Sequence, residues 1–244
     1  VTGKDVARPD AVLLRSADMH AMEIPPSVLA IGRAGAGTNN IPVKAMSARG
    51  VPVFNAPGAN ANAVKELVLA GMLMAARNLA PAQRFVHQLD RGSADLDKTV
   101  EEGKKSFAGF ELAGQTLGVI GLGKIGCLVA DAAIKLGMQV MGFDPHITVD
   151  AAWSLPSQVK KAASVNEVLK QCQFVTVHVP LLDATRHLVN QDNIRLARPQ
   201  AVLLNFSRDG IVDDEAVLAA LGTGQLGWYV CDFPSAATLG HEKI

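Results

Sequence analysis

One hexapeptide constrains this chain more than any other feature: GLGKIG, running from Gly121 to Gly126. It follows a short apolar stretch, Leu117–Ile120, that reads as a buried strand, and it opens an apolar stretch, Ile125–Leu136, that reads as a helix. The next strand, Gln139–Phe143, is closed by Asp144. A GxGxxG string alone is weak, and this context gives it meaning. Gly121 permits a tight turn, Gly123 lets a diphosphate approach the backbone, and Gly126 lets helix and strand pack closely. Free N–H groups and the positive end of the helix dipole then face the diphosphate. Asp144 is suited to accept a hydrogen bond from the adenosine ribose and would repel a 2′-phosphate, which favours NAD over NADP. Two alternatives stay open at this point. The turn could belong to another doubly wound fold, or to a Rossmann enzyme that binds S-adenosylmethionine.

From Gln115 onward strands and helices alternate. Strands are expected at Leu117–Ile120, Gln139–Phe143, Phe174–Val179, Ala201–Asn205 and Trp228–Val230. Helices are expected at Ile125–Leu136, Val165–Lys170, Gln191–Leu196 and Asp214–Leu221. This rhythm implies a parallel sheet covered on both faces. A complete dinucleotide-binding sheet has six strands; five are legible, and the sixth is expected to begin at Lys243. Ahead of this region lie three short buried strands, Ala11–Leu14, Val28–Ile31 and Val51–Phe54. A short helix is expected over Pro42–Arg49 and a long one over Asn62–Leu79, with Pro81 ending it or starting the next. The charged, Gly- and Ser-containing stretch Arg91–Phe110 reads as a crossover. The fold expected is α/β: a Rossmann-type doubly wound sheet over residues 111–244 and a smaller, incomplete flavodoxin-like α/β substrate domain over 1–90, joined by 91–110.

Composition excludes some partners. The 244 residues balance 23 basic against 23 acidic side chains, so the basic excess of a nucleic-acid binder is missing. No apolar run approaches the roughly 18 residues of a membrane span. Cys127, Cys172 and Cys231 are far apart, which indicates neither a zinc site nor a disulfide framework, and fits reduced thiols in the cytoplasm. No metal is expected. With Val rather than Met at position 1 and a strand-like run at Lys243-Ile244, both ends read as cut.

Five stretches carry a resemblance that reaches from about Asp10 to Pro234: GRAGAGTNNIP at Gly32–Pro42, FNAPGANANAVKEL at Phe54–Leu67, HVPLLDATRHLVN at His178–Asn190, LLNFSRDGIVDDEAV at Leu203–Val217 and VCDFP at Val230–Pro234. In this order they resemble the D-isomer-specific 2-hydroxyacid dehydrogenases, and within them the branch that oxidises 3-phosphoglycerate. The resemblance implies NAD as cofactor, hydride transfer from a phosphorylated D-2-hydroxy acid, a cytoplasmic homodimer formed through the Rossmann domain, and an active site in a cleft between two domains. It implies Arg208 as the catalytic arginine, since a guanidinium can hold a carboxylate and polarise a carbonyl; a surface salt bridge is the alternative. Cofactor contacts would come from Gly121, Gly123, Lys124, Ile125 and Gly126, from Asp144 and Pro145, from His178, Val179 and Pro180, and from Phe206, Ser207 and Asp232. Arg15 and Ser16 would meet the substrate phosphate, and Gly35, Ala36 and Asn60 its carboxylate. His178 could equally be a structural strand-end histidine, and Asn60 a turn residue.

The sequence departs from the family pattern in three places. The family's acid–base histidine follows a proline in the segment that leads back to the small domain after Phe233-Pro234, and no Pro-His pair occurs there; the one pair in this sequence, Pro145-His146, closes the strand after the glycine turn, and His241 comes too early for the role. The glutamate expected two residues after Phe233-Pro234 is Ala236. Counting back from the same pair puts the nicotinamide aspartate at Cys231, while residue type favours Asp232. The expectation is therefore a fragment of a dehydrogenase that does not turn over normally by itself. The family's strand ahead of Ala11 is also expected to be missing. A glycerate, hydroxypyruvate or glyoxylate reductase, and a non-catalytic NAD-sensing corepressor, remain as alternative readings.

Overall fold

A computed structural model describes residues 6–244 and divides the chain into two compact units, 1–62 and 63–244. The first unit holds three parallel strands, β1 (Ala11–Leu14), β2 (Ala30–Arg33) and β3 (Val53–Asn55), in the order β1-β2-β3, and the helix α1 (Val43–Ala48). Its core is Met19, Val28, Ile31, Ile41, Met46 and Val51, with Val12 and Leu14 packed against it. Val28 and Val51 are buried just ahead of β2 and β3, so the apolar signal is real while the ladder starts about two residues later. The expectation of buried strands needs correction here. Side chains alternate across a strand, and Leu13 and Phe54 lie on the exposed side, at 88% and 61% exposure. The expectation that the family's strand ahead of Ala11 is missing falls partly on residues 1–5, outside the described residues.

The second unit takes in most of α2 (Ala61–Ala76), then α3 (Leu79–His87) and α4 (Leu96–Gly103). Asn78, in the left-handed conformation, separates α2 from α3. Pro81 stands in the first turn of α3, where its missing N–H costs no helix bond. The expected domain edge at residue 90 and the observed division after Asn62 differ for a packing reason. Val68, Met72, Ala75 and Ala76 of α2 belong to the same core as Leu117, Val119 and Phe174. The crossover stretch contains α4 and a following 3₁₀ turn, Lys104–Phe107.

The sheet of this unit is built from β4 (Thr116–Ile120), β5 (Gln139–Phe143), β6 (Lys160–Lys161), β7 (Phe174–Val177), β8 (Ala201–Asn205) and β9 (Leu226–Cys231). All are parallel, in the order β6-β5-β4-β7-β8-β9, the order of a dinucleotide-binding sheet. Alternate residues feed opposite cores: Phe174, Val202 and Leu204 face one, and Val175, Val177 and Leu203 the other. The helices between strands are α5 (Lys124–Lys135), α6 (Val149–Ser154), α7 (Val165–Gln171), α8 (Gln191–Ile194) and α9 (Asp214–Thr223). Several start on caps the sequence provides. Ser164 accepts from Glu167 N at 3.1 Å, and Asp213 from Glu215 N at 3.1 Å, each satisfying an otherwise unpaired helix donor.

The sixth strand is not at Lys243. It is β6, two lysines at the sheet edge whose charge hides them from an apolar-run search. The Lys243 carbonyl accepts from Tyr229 N at 3.0 Å, but Lys243-Ile244 adds no strand. Among the described residues no helix is long and apolar enough to cross a membrane.

Candidate cofactor site

The three glycines of the Gly121–Gly126 turn are required in three different ways. Gly121 has φ +93°, and a Cβ there would lie 2.6 Å from the His178 carbonyl oxygen. A Cβ on Gly126 would lie 2.0 Å from the Gly121 carbonyl oxygen, so the first turn of α5 can fold down onto the end of β4 only without a side chain. Gly123, by contrast, has nothing within 4 Å of its would-be Cβ. Its missing side chain serves the open side of the turn, where a ligand would approach. Gly123 is also the N-cap of α5, with no side-chain hydrogen bond capping the helix. Lys124 and Ile125 begin that helix, so its first N–H groups and a lysine ammonium share one corner, a suitable place for an anion.

Asp144 ends β5 beside this turn. Its Oδ2 accepts from Leu122 N at 2.9 Å and its Oδ1 from His146 N at 2.8 Å. The carboxylate is thus fixed by two main-chain donors, and each oxygen keeps a lone pair for a further hydroxyl. A cavity of about 420 Å³ opens here, lined by Leu122, Phe143, Asp144, Pro145, Ile147 and Val159 among others. Lys160 and Lys161 also line it. Sequence reasoning missed both, because a two-residue charged strand leaves no periodic signal.

His178 follows β7. Its main-chain N–H donates to the Ile120 carbonyl at 2.7 Å, which ties it to the strand preceding the glycine turn. Its Nε2 is 3.0 Å from Thr176 Oγ1, and its Nδ1 is buried with no hydrogen-bond partner. Burial pushes its pKa down to about 4, so the ring is neutral at ordinary pH. Val179 comes next, and a Cβ on Gly121 would meet its Cγ1 at 2.9 Å. The Pro180 carbonyl accepts from the Thr185 hydroxyl at 2.5 Å, which turns the chain away from the sheet. The open face at Gly123 and the fixed carboxylate of Asp144 fit a dinucleotide lying across the ends of β4 and β5.

The end of β8 bears the other group of candidates. Phe206 is buried and packs near Gly71 of α2, where a Cβ would lie 3.2 Å from its Cζ. Ser207 Oγ donates to the Val177 carbonyl at 2.7 Å, bridging the ends of β8 and β7. Arg208 is half-buried, and its Nη1 donates to the Ser207 carbonyl at 2.6 Å, leaving most of the guanidinium fork for other acceptors. Asp232 follows β9. Desolvation raises its pKa, and the nearby Arg208 charge pulls it back down. Cys231 is the last residue of β9, and burial raises its thiol pKa.

In the first unit, Arg15 and Ser16 follow β1, and Gly35 and Ala36 follow β2, all at the carboxyl ends of parallel strands. The Arg15 carbonyl accepts from Arg33 Nε and Asn40 Nδ2, both at 3.2 Å. Gly35 has φ +149°, and a Cβ there would lie 2.3 Å from Arg33 Nη1. Its N–H donates to the Arg33 carbonyl at 3.0 Å, and the Ala36 carbonyl accepts from Asn55 Nδ2 at 2.7 Å. Asn60 is exposed and directly precedes α2.

Residues 69–242 match the family described as D-isomer specific 2-hydroxyacid dehydrogenase, NAD binding domain. The chain belongs to that family. NAD is accordingly the cofactor for which this domain is built. The D-3-phosphoglycerate dehydrogenase of Methanocaldococcus jannaschii is 41% identical over 196 residues, which cover 80% of this chain and 35% of that protein. That of Synechocystis is 34% identical over 241 residues, covering 96% and 40%. The chain therefore spans well under half the length of these two relatives. The hydroxypyruvate reductase of Thermotoga maritima is 32% identical over 226 residues, covering 91% of this chain and 68% of that one. Among solved structures, the apo D-mandelate dehydrogenase of Rhodotorula graminis aligns with a TM-score of 0.76 at 25% identity, covering 88% of this chain and 63% of that one.

Proposed function

We propose that this chain holds NAD and orients a 2-hydroxy acid for oxidation, as part of an enzyme converting 3-phosphoglycerate to 3-phosphohydroxypyruvate. The observation that carries the reading is the pairing of the open Gly123 turn with the main-chain-fixed carboxylate of Asp144. NAD, when bound, supplies the hydride acceptor. Lys124 and the first N–H groups of α5 hold the diphosphate, Asp144 and Pro145 the adenosine ribose, and His178, Val179 and Pro180 the adenosine side. Phe206, Ser207 and Asp232 border the nicotinamide. Arg208 pairs with the substrate carboxylate and stabilises the developing carbonyl. Arg15 and Ser16 meet the phosphate, and Gly35, Ala36 and Asn60 the carboxylate. The protein is a homodimer through its Rossmann unit, and its free thiols suit the cytoplasm; light scattering measures the first claim.

The test is binding rather than turnover. Titration should show NADH binding, NADPH binding at least about tenfold weaker, and loss of that preference in Asp144→Ala, because the carboxylate opposes a 2′-phosphate. Equal affinity for the two dinucleotides would sink the assignment of Asp144. The likeness to a hydroxypyruvate reductase over two thirds of its length supports a second substrate. Affinity of the NADH-loaded chain for 3-phosphohydroxypyruvate against hydroxypyruvate separates the two, and Arg15→Ala should weaken only the phosphorylated ligand.

A further inference from the structure

The turn carrying Arg208 rests on a buried amide to which the proposed chemistry gives no role. Asn205 ends β8 at 2% exposure, within a strand whose other residues are apolar. A polar side chain in such a place is costly unless its hydrogen bonds are made. Those of Asn205 go to the turn itself. Its Oδ1 accepts from Ser207 N at 3.1 Å, and its Nδ2 donates to the Arg208 carbonyl at 3.0 Å. One amide therefore fixes both peptide groups that flank the Ser207–Arg208 step. Nδ2 also lies 3.5 Å from the hydroxyl of Tyr229 on β9, itself 3% exposed. Asn205 stands directly opposite Cys231 in the ladder, and Tyr229 shares that face two residues earlier. Tyr229 and Cys231 stand two residues apart on the same side of β9. Burial raises the pKa of both groups, so they stay neutral. The next residue is Asp232, which feels the Arg208 charge.

From this we infer that Asn205, backed by Tyr229, is a positioning residue that sets the Arg208 guanidinium relative to the end of β9. The inference rests on the proposed role of Arg208 in holding the substrate carboxylate. A valine or leucine at position 205 would serve the core and leave the turn without its internal acceptor and donor.

Two measurements test it. In the cofactor-free chain, Asn205→Ala should speed hydrogen exchange of the Ser207 amide about tenfold, the effect of losing one buried hydrogen bond. In the NADH-loaded chain the same variant should weaken oxamate, a 2-oxo acid analogue, by about tenfold, while NADH affinity stays within about twofold. Asn205→Asp keeps the acceptor for Ser207 N and loses the donor to Arg208. It should preserve Ser207 protection and still weaken oxamate. Tyr229→Phe, nearly isosteric, should show a smaller, roughly threefold loss for oxamate, and keeps the test available if Asn205→Ala does not fold. Unchanged Ser207 exchange, or equal losses of NADH and oxamate, overturns the inference. A native chain that binds no NADH overturns the dehydrogenase reading instead, and the exchange measurement still decides the role of Asn205.

Discussion

In the six-stranded sheet every residue of β7 and β8 is buried, whereas in the three-stranded sheet Leu13 of β1 and Phe54 of β3 stand largely in solvent. Both sheets are parallel, and the strands of both are mainly apolar. The difference lies in what covers them. Helices cover both faces of the larger sheet, so Phe174, Val202 and Leu204 face one core and Val175, Val177 and Leu203 the other. In the smaller sheet the packed face is that of Val12, Leu14, Ile31 and Val53. An apolar run therefore reports how a strand could be buried, and the number of layers around it decides how much of that burial occurs. The candidate cofactor residues follow the same division. The glycine turn, Asp144 and Arg208 stand on the doubly covered sheet, where the backbone beneath them is fixed on both sides.

The comparison is sharpest in the core. Phe174 of β7 has no exposed surface and packs with Val68, Leu117 and Val202. Phe174→Ala should lower unfolding free energy by about 3–5 kcal/mol, the usual cost of emptying a buried aromatic site. Urea denaturation measures it. A loss under 1 kcal/mol would mean that the larger sheet is no better packed than the smaller.

Next in size is the glycine turn, where two substitutions of equal chemistry should diverge. Gly126→Ala places a methyl group against a main-chain carbonyl that cannot move without displacing α5 from β4. It should cost about 3 kcal/mol and abolish NADH binding. Gly123→Ala meets open space, so stability should stay within about 0.5 kcal/mol. NADH affinity should still fall at least about tenfold, because the methyl stands where the diphosphate would approach. Parallel melting curves and NADH titrations check both, and similar stabilities for the two variants would break the distinction.

His178 gives the doubly covered sheet a pH dependence. Its folded pKa is pushed down to about 4 by burial, from an ordinary value of 6.5. Below 6.5 the unfolded chain takes up a proton that the folded chain refuses, so stability falls as pH drops from about 6.5 toward 4. The full effect is about 3 kcal/mol. Urea midpoints at pH 7 and pH 4.5 should differ accordingly, and His178→Asn should flatten this part of the profile. An unchanged slope in that variant would assign the acid sensitivity elsewhere.

Much of this was legible in the sequence for identifiable reasons. Gln139–Phe143 and Ala201–Asn205 are expected and observed with the same ends, because apolar strands between short loops leave little freedom of register. Gly121 and Gly126 were readable because their close main-chain contacts admit only glycine. The edge strand Lys160–Lys161 was not, since its ladder is made by main-chain bonds to β5 and its side chains carry no apolar period. The part played by Asn205 was hidden for a similar reason. An asparagine before Phe206 and Ser207 reads as part of a motif, and only the fold shows its amide closing on the two residues that follow. Nor does the run Ala11–Leu14 reveal which of its faces is covered.

That last point gives the smallest effect, and the most direct test of the contrast between the sheets. Leu13 is apolar and sits mid-strand, as Val202 does, so a sequence-based expectation assigns both a similar role. The structure leaves Leu13 88% exposed, over Gly32, where a Cβ would meet its Cδ2 at 2.7 Å. Leu13→Ala should therefore change stability by no more than about 0.5 kcal/mol, against about 2 kcal/mol or more for truncating a buried aliphatic side chain. Denaturation of the 244-residue chain measures this. A cost near that of a core leucine would mean that the outer face of β1 is covered in solution, and that the two sheets are buried alike.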